Sequence, residues 1–151
     1  MGDQSSLADR AWPLVIRLMP LYVRLYRATG GRIGQRLPGS PPILLLDHKG
    51  ARSGKKRTTP LVHMPDGENL VVVGAKGGYP KHPSWVHNLR AHPDTEVQVG
   101  SNKISVHATE ANAEERQLLW SKAVEYNPAW RRYQRRTKRT LPVVILRQRP
   151  A

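Results

Sequence analysis

A chain of 151 residues is the length of one domain with one buried core. Its 25 Lys and Arg against 11 Asp and Glu give a formal net charge of +14, which points to an anionic partner: nucleic acid, an acidic membrane face, or a small molecule bearing phosphate and carboxylate. The absence of cysteine excludes a disulfide scaffold, a thiol nucleophile and a thiolate metal site, and is compatible with the cytosol.

The first apolar run, Ala11 to Ile16, stops at Arg17 with no small-residue cleavage site behind it, so it reads as mature protein and not as an export signal. No run reaches the ~18 apolar residues of a spanning helix. Residues 10–29 predict a helix. Arg10, Arg17, Arg24 and Arg27 fall on one side, and Val15, Leu18, Met19, Tyr22, Leu25 and Tyr26 on the other. Pro20 is expected to kink or split it, and Gly30-Gly31 to end it. Such a helix either packs on its own domain or lies on an anionic membrane, where apolar burial and charge attraction add.

Residues 1–39 are accordingly expected to be a helical extension and linker, and residues 40–151 the main domain. Short strands are predicted at Ile43–Leu46, Thr58–Met64, Leu70–Val73, Thr95–Val99, Lys103–Ala108 and Pro142–Leu146. Asp66-Gly67 marks a hairpin, Pro83–Ala91 a short helix and Asn112–Glu125 a second one with Asn112 as N-cap. This order favours an α+β domain around a small curved sheet or barrel over a doubly wound fold.

Three segments carry candidate chemistry. In HKGARSGKKR, residues 48–57, glycines free the backbone to approach a ligand, while Arg52, Lys55, Lys56 and Arg57 suit phosphate or carboxylate. Lys56 stands where a nucleotide P-loop requires Ser or Thr. In VGAKGGYPKHPSW, residues 73–85, Lys76-Gly77-Gly78 places a charge and exposed amides directly after an apolar strand. In YNPAWRRYQRRTKR, residues 126–139, six basic residues interleave with Trp130 and Tyr133, a pattern that serves nucleic acid, an anionic cofactor tail, a membrane face or plain solvation. The histidines show no metal-ligand spacing, and no carboxylate pair or nucleophile elbow is present. Any redox chemistry would therefore come from a cofactor.

Four pieces in order carry a resemblance: GARSGKKRTTPL at 50–61, DGENLVVVGAKGG at 66–78, HPSWVHNLRAHP at 82–93 and RTLPVV at 139–144. Together they resemble the deazaflavin (coenzyme F-420)-dependent nitroreductase family of actinobacteria, over roughly residues 40–146. The resemblance implies a split β-barrel similar to flavin-binding barrels, with the deazaflavin in a groove lined by strand ends and loops. It implies that Arg52 and Ser53 lie in the loop that holds the phosphate and acidic tail, where Lys55 adds a further cofactor-binding cation, and that Arg57 contacts the cofactor. Pro60 and Leu61 would lie beside the ring, and Ala75, Lys76 and Gly77 at the strand-end turn. It also implies hydride transfer from the reduced coenzyme to an electron-poor acceptor, such as a menaquinone-like quinone, an unsaturated lactone or a nitroaromatic. Tyr133 would position or protonate the acceptor and Trp130 would pack against it.

Departures from the family's nitroreductases fall at Ala51, Val62, Asn127 and Trp130, so the cofactor end is better kept than the acceptor end. The basic helix at 10–29 favours a lipid-soluble acceptor and peripheral contact with the inner face of the cell membrane. A non-catalytic flavin- or deazaflavin-binding protein and a nucleic-acid-binding module are the competing readings. The module would need Arg131 to Arg139 to form one continuous basic surface.

Overall fold

In the computed structural model, residues 7–150 are described, with side-chain burial in the first helix given from residue 13 onward except at residue 15. The expected facing of Arg10 and Val15 lies outside the described residues.

Seven strands form one antiparallel sheet: β1 (Ile43–Lys49), β2 (Lys56–Val62), β3 (Met64–Asp66), β4 (Asn69–Val73), β5 (Asp94–Val99), β6 (Asn102–Glu110) and β7 (Val143–Gln148). Their spatial order is β2-β1-β5-β6-β7-β4-β3. The two outermost strands are successive pieces of the chain, separated only by His63, which ties the sheet edges together and curls the sheet into a barrel-like half-shell. This is the expected α+β split barrel.

The strands read differently because their faces are covered differently. On β4 and β7, Val72, Val144 and Leu146 point into the shell, while Val71, Val73, Val143 and Ile145 point outward under two helices. Both faces are therefore dry and the sequence is continuously apolar. On β5 and β6 only Val97, Val106 and Ala108 are buried apolar positions, and polar residues alternate with them. The shell is filled by α2 (Ser84–Ala91), which contributes Trp85, Val86 and Leu89 to the inner core. Each such side chain, fully buried, adds on the order of 1.5–3 kcal/mol.

The first helix, α1 (Leu7–Thr29), runs through Pro13 and Pro20, so of the expected kink or split the split does not occur. Pro20 lacks the N–H that would reach the Ile16 carbonyl, but both residues are exposed, so water can satisfy that oxygen. The helix ends as expected. Gly30 and Gly31 adopt φ +60 and +83, and the Gly31 N–H closes onto the Tyr26 carbonyl at 2.9 Å. Fully buried Tyr26 then anchors this end. Its hydroxyl donates to the Ile43 carbonyl at 2.8 Å and accepts from the Gly100 N–H at 2.9 Å. Arg27 donates to Asp47 at 2.7 Å.

On the outer face lie α3 (Ala113–Tyr126) and α4 (Pro128–Arg135). Asn112 caps α3 in a reciprocal box with Glu115. The α4 helix begins at Pro128 in its first turn with Asn127 as cap, inside the segment whose basic residues dominate its sequence pattern.

Candidate functional site

Pairing is antiparallel at every step from β1 through β5, β6 and β7 to β4, so β1 and β4 run the same way. The loop that follows β1 and the turn that follows β4 therefore leave the sheet in the same direction. These are two of the three segments singled out by their chemistry.

The β1–β2 loop is held by its own backbone and by α2. Gly50 N–H donates to Lys55 O and Gly54 N–H to Gly50 O, each at 2.9 Å. The Ala51 N–H donates to Oδ1 of buried Asn88 at 2.9 Å. That fastening leaves Arg52, Ser53, Lys55 and Lys56 exposed together, a cluster of cations on a fixed backbone. The Ser53 hydroxyl oxygen accepts from the Lys55 N–H at 3.2 Å.

The ladder sorts the next residues. Arg57 pairs with His48, Thr59 with Leu46 and Leu61 with Leu44, which puts all three on the inner face. Leu61 packs on the inner core. Pro60 pairs with Leu45 and takes the opposite face, so Pro60 and Leu61 address different sides of the strand. His48 itself is buried, 3% exposed, and bonded to Asn88 and Thr59. Burial, and then the nearby Arg57 cation, lower its pKa to about 4 against the opposing pull of Asp47.

The turn after β4 is shaped by glycine and by an arginine. Ala75 is buried; Lys76 is exposed, takes φ +45 and lays its ammonium 4.7 Å over the Tyr79 ring. Gly77, at φ +62, has open space where a Cβ would sit, so a ligand can approach its backbone closely. Gly78 is the reverse: a Cβ there would lie 2.6 Å from the Tyr133 carbonyl, so the turn is seated directly on α4.

Arg139 fastens the turn from behind. Its guanidinium donates to the carbonyls of Gly74, Ala75 and Tyr79 at 2.9, 2.8 and 2.8 Å, and to Nδ1 of His82 at 2.8 Å. Burial, then Arg139 and Arg90, hold the His82 pKa below its usual value.

Tyr133 is half-buried beside this turn, with the Arg136 guanidinium 5.8 Å from its ring. Trp130 is 4% exposed within the outer core, among Val73, Leu119 and Leu141. Its indole surface is taken up by packing, which leaves almost none for an acceptor. The basic segment is divided as well. Arg131, Arg132, Arg135, Arg136 and Lys138 are exposed, whereas Arg139 turns in to the clamp.

Sequence reasoning missed Arg139, Asn88 and His48 as parts of the site's framework. For His48 a signal existed, because it continues the inward alternation of Leu44 and Leu46. Arg139 and Asn88 act through contacts far along the chain that no local pattern encodes. Among the described residues no cluster of His, Asp and Glu could hold a metal ion, and no helix is long and apolar enough to cross a membrane.

The curled antiparallel sheet with its flanking helices is a split barrel of the flavin-binding type. The chain belongs to the F420-H2-dependent quinone reductase family, whose pattern matches residues 18–148. It is 42% identical over 137 residues to an F420-H2-dependent quinone reductase of Mycobacterium tuberculosis strain H37Rv, covering 89% of this chain and 92% of that one. Among solved structures it is similar to an F420-H2-dependent reductase (FDR-A), with a TM-score of 0.64 and 42% identity over 70% of this chain and 93% of that one. A domain-swapped dimer matches with a TM-score of 0.67 and 36% identity over 89% and 98% of the two chains.

Proposed function

We propose that this chain is an oxidoreductase that binds coenzyme F-420 between the β1–β2 loop and the turn after β4 and reduces a membrane-soluble quinone. The observation that carries the reading is the shared direction of those two segments, one cationic and one with an open glycine backbone, in a member of this family. The residues present fit such a group. Arg52, Lys55, Lys56 and Arg57 supply positive charge for an anionic tail, and Leu61 supplies an apolar edge on the inner face. When bound, the reduced coenzyme supplies the hydride.

The protein's own contribution is placement. Arg52 and Arg57 hold the tail, the Gly77 backbone allows close approach, and Arg139 keeps the turn rigid so that distance and angle to the acceptor are fixed. Tyr133, half-buried with its hydroxyl free of internal partners among the described residues, is the candidate for positioning or protonating the acceptor. Trp130 belongs to the outer core on which Tyr133 packs. The departures at Asn127 and Trp130 leave nitroaromatics and unsaturated lactones as secondary candidate acceptors.

Contact with the membrane surface belongs to the same reading. Leu14, Ile16, Leu18, Leu21 and Leu25 of α1 are each at least 40% exposed, with Arg17 and Arg24 among them, a composition that suits an anionic lipid interface.

Titration of the protein with oxidised coenzyme, followed by ring fluorescence, tests the binding step. Micromolar or tighter binding that weakens in Arg52→Ala and Lys76→Ala is expected. Turnover with the reduced coenzyme and a short-chain menaquinone analogue then tests the reaction. Binding without turnover of any acceptor would favour a non-catalytic carrier, and no binding would overturn the assignment.

A further inference from the structure

The buried polar chain under the β1–β2 loop has a direction. The Ala51 N–H can only donate, so its 2.9 Å contact fixes the Asn88 carboxamide with oxygen on that side. The Asn88 Nδ2 group, also only a donor, therefore faces Nδ1 of His48 at 2.8 Å. Nδ1 is the bare, accepting nitrogen, and the single hydrogen of the neutral ring lies on Nε2. Nε2 donates in turn to Oγ1 of Thr59 at 2.8 Å. His48 and Asn88 are 3% and 6% exposed, so water does not scramble this polarity.

Thr59 is the end of the chain. Its oxygen is engaged as an acceptor, so its own hydrogen points away from His48. Among the described residues no acceptor receives that hydrogen. Thr59 is half-buried on the inner face of β2, with Arg57 and Leu61 two residues to either side on that same face. A directed, unclaimed donor thus lies between a cation and an apolar edge.

We propose that Thr59 is a coenzyme-binding residue, its hydroxyl donating a hydrogen bond to an oxygen of the bound deazaflavin between the tail met by Arg57 and the ring met by Leu61. This rests on the coenzyme reading given above. Because the donor's direction is set by the Ala51–Asn88–His48 chain, the same buried network that fastens the phosphate loop also orients the contact at the ring end.

The test compares wild type, Thr59→Val and Thr59→Ser by fluorescence titration with oxidised coenzyme at low and moderate salt. It is paired with the ¹⁵N shifts of the His48 ring. Thr59→Val removes the hydroxyl at nearly constant shape and is expected to weaken binding about tenfold, with Thr59→Ser within about threefold of wild type. The fold loss should be equal at both salt concentrations, because a neutral donor is lost. A loss that shrinks with salt would mean that Thr59→Val acts by disordering the cationic loop, and would overturn the proposal. So would undiminished binding by Thr59→Val while wild type binds, or a His48 proton found on Nδ1. If wild type itself does not bind, the coenzyme reading falls and this inference with it.

Discussion

The guanidinium of Arg139 and the imidazole of His82 meet at 2.8 Å although 57 residues separate them in the chain. Arginine has no acceptor, so His82 offers a bare Nδ1 and is neutral in this arrangement. The same guanidinium gathers three carbonyls of the turn after β4. One side chain thereby determines the shape of a turn whose residues Lys76 and Gly77 are proposed to meet the coenzyme.

Arg139→Lys is expected to cost about 1–3 kcal/mol of stability and to weaken coenzyme binding severalfold. A lysine ammonium keeps the charge but cannot span four acceptors arranged for a planar fork. Denaturant melts and fluorescence titration measure the two effects. Unchanged affinity in Arg139→Lys would show that the turn holds its shape without the fork.

The pH dependence of stability has a definite sign. His48 has a folded pKa of about 4, below its unfolded value, so between those pH values the unfolded chain binds a proton that the native one refuses. The contribution is complete above about pH 6.5 and is lost as pH falls toward 4, at about 1.4 kcal/mol per pH unit. Denaturant midpoints across this window are expected to decline on acidification, and His48→Gln should reduce the slope by about one proton. An identical slope in the variant would contradict the assignment.

Two adjacent glycines should respond differently to alanine. Gly77 at φ +62 has nothing near a new Cβ, so Gly77→Ala is expected to cost only the backbone strain, about 1–2 kcal/mol. Gly78→Ala adds a Cβ 2.6 Å from the Tyr133 carbonyl and 2.8 Å from the Arg136 Cβ, and should cost more and displace α4. Equal melting curves for the two variants would refute the seating of this turn on α4.

Tyr26→Phe removes a fully buried hydroxyl that joins α1 to β1 and to the β5–β6 turn. The Gly100 N–H and Ile43 carbonyl lose their partner, at an expected cost of about 1–3 kcal/mol by chemical denaturation. Coenzyme binding should be unaffected under native conditions.

Much of this fold was legible because its signals are local. Asp66-Gly67, the alternation of β5 and β6, the Asn112 box and the Gly30-Gly31 stop each appear within a few residues of the structure they specify. Pro20 does not split α1, since a missing hydrogen bond on a solvent face does not end a helix. The burial of Trp130 was hidden for a different reason. Its neighbourhood reads as basic and aromatic, whereas its burial is decided by Val73, Leu119 and Leu141, which lie elsewhere in the chain. For the site, the family motifs gave the two loops, while the clamp and the His48–Asn88 chain depend on side chains that meet only after folding.

The strand that bends at His63 also sets an order of assembly. Its first half forms a hairpin with β1 and its second half a hairpin with β4, so residues 43–73 hold two local pairings that share one strand. Their loops are short and their closure entropy small, whereas β1–β5 and β4–β7 join segments distant in sequence. The double hairpin should therefore gain protection from hydrogen exchange early in refolding, with β7 inserted afterwards beside a β4 already in place. The backbone hydrogen bonds within the basic loop would then form before Arg139 clamps the turn after β4.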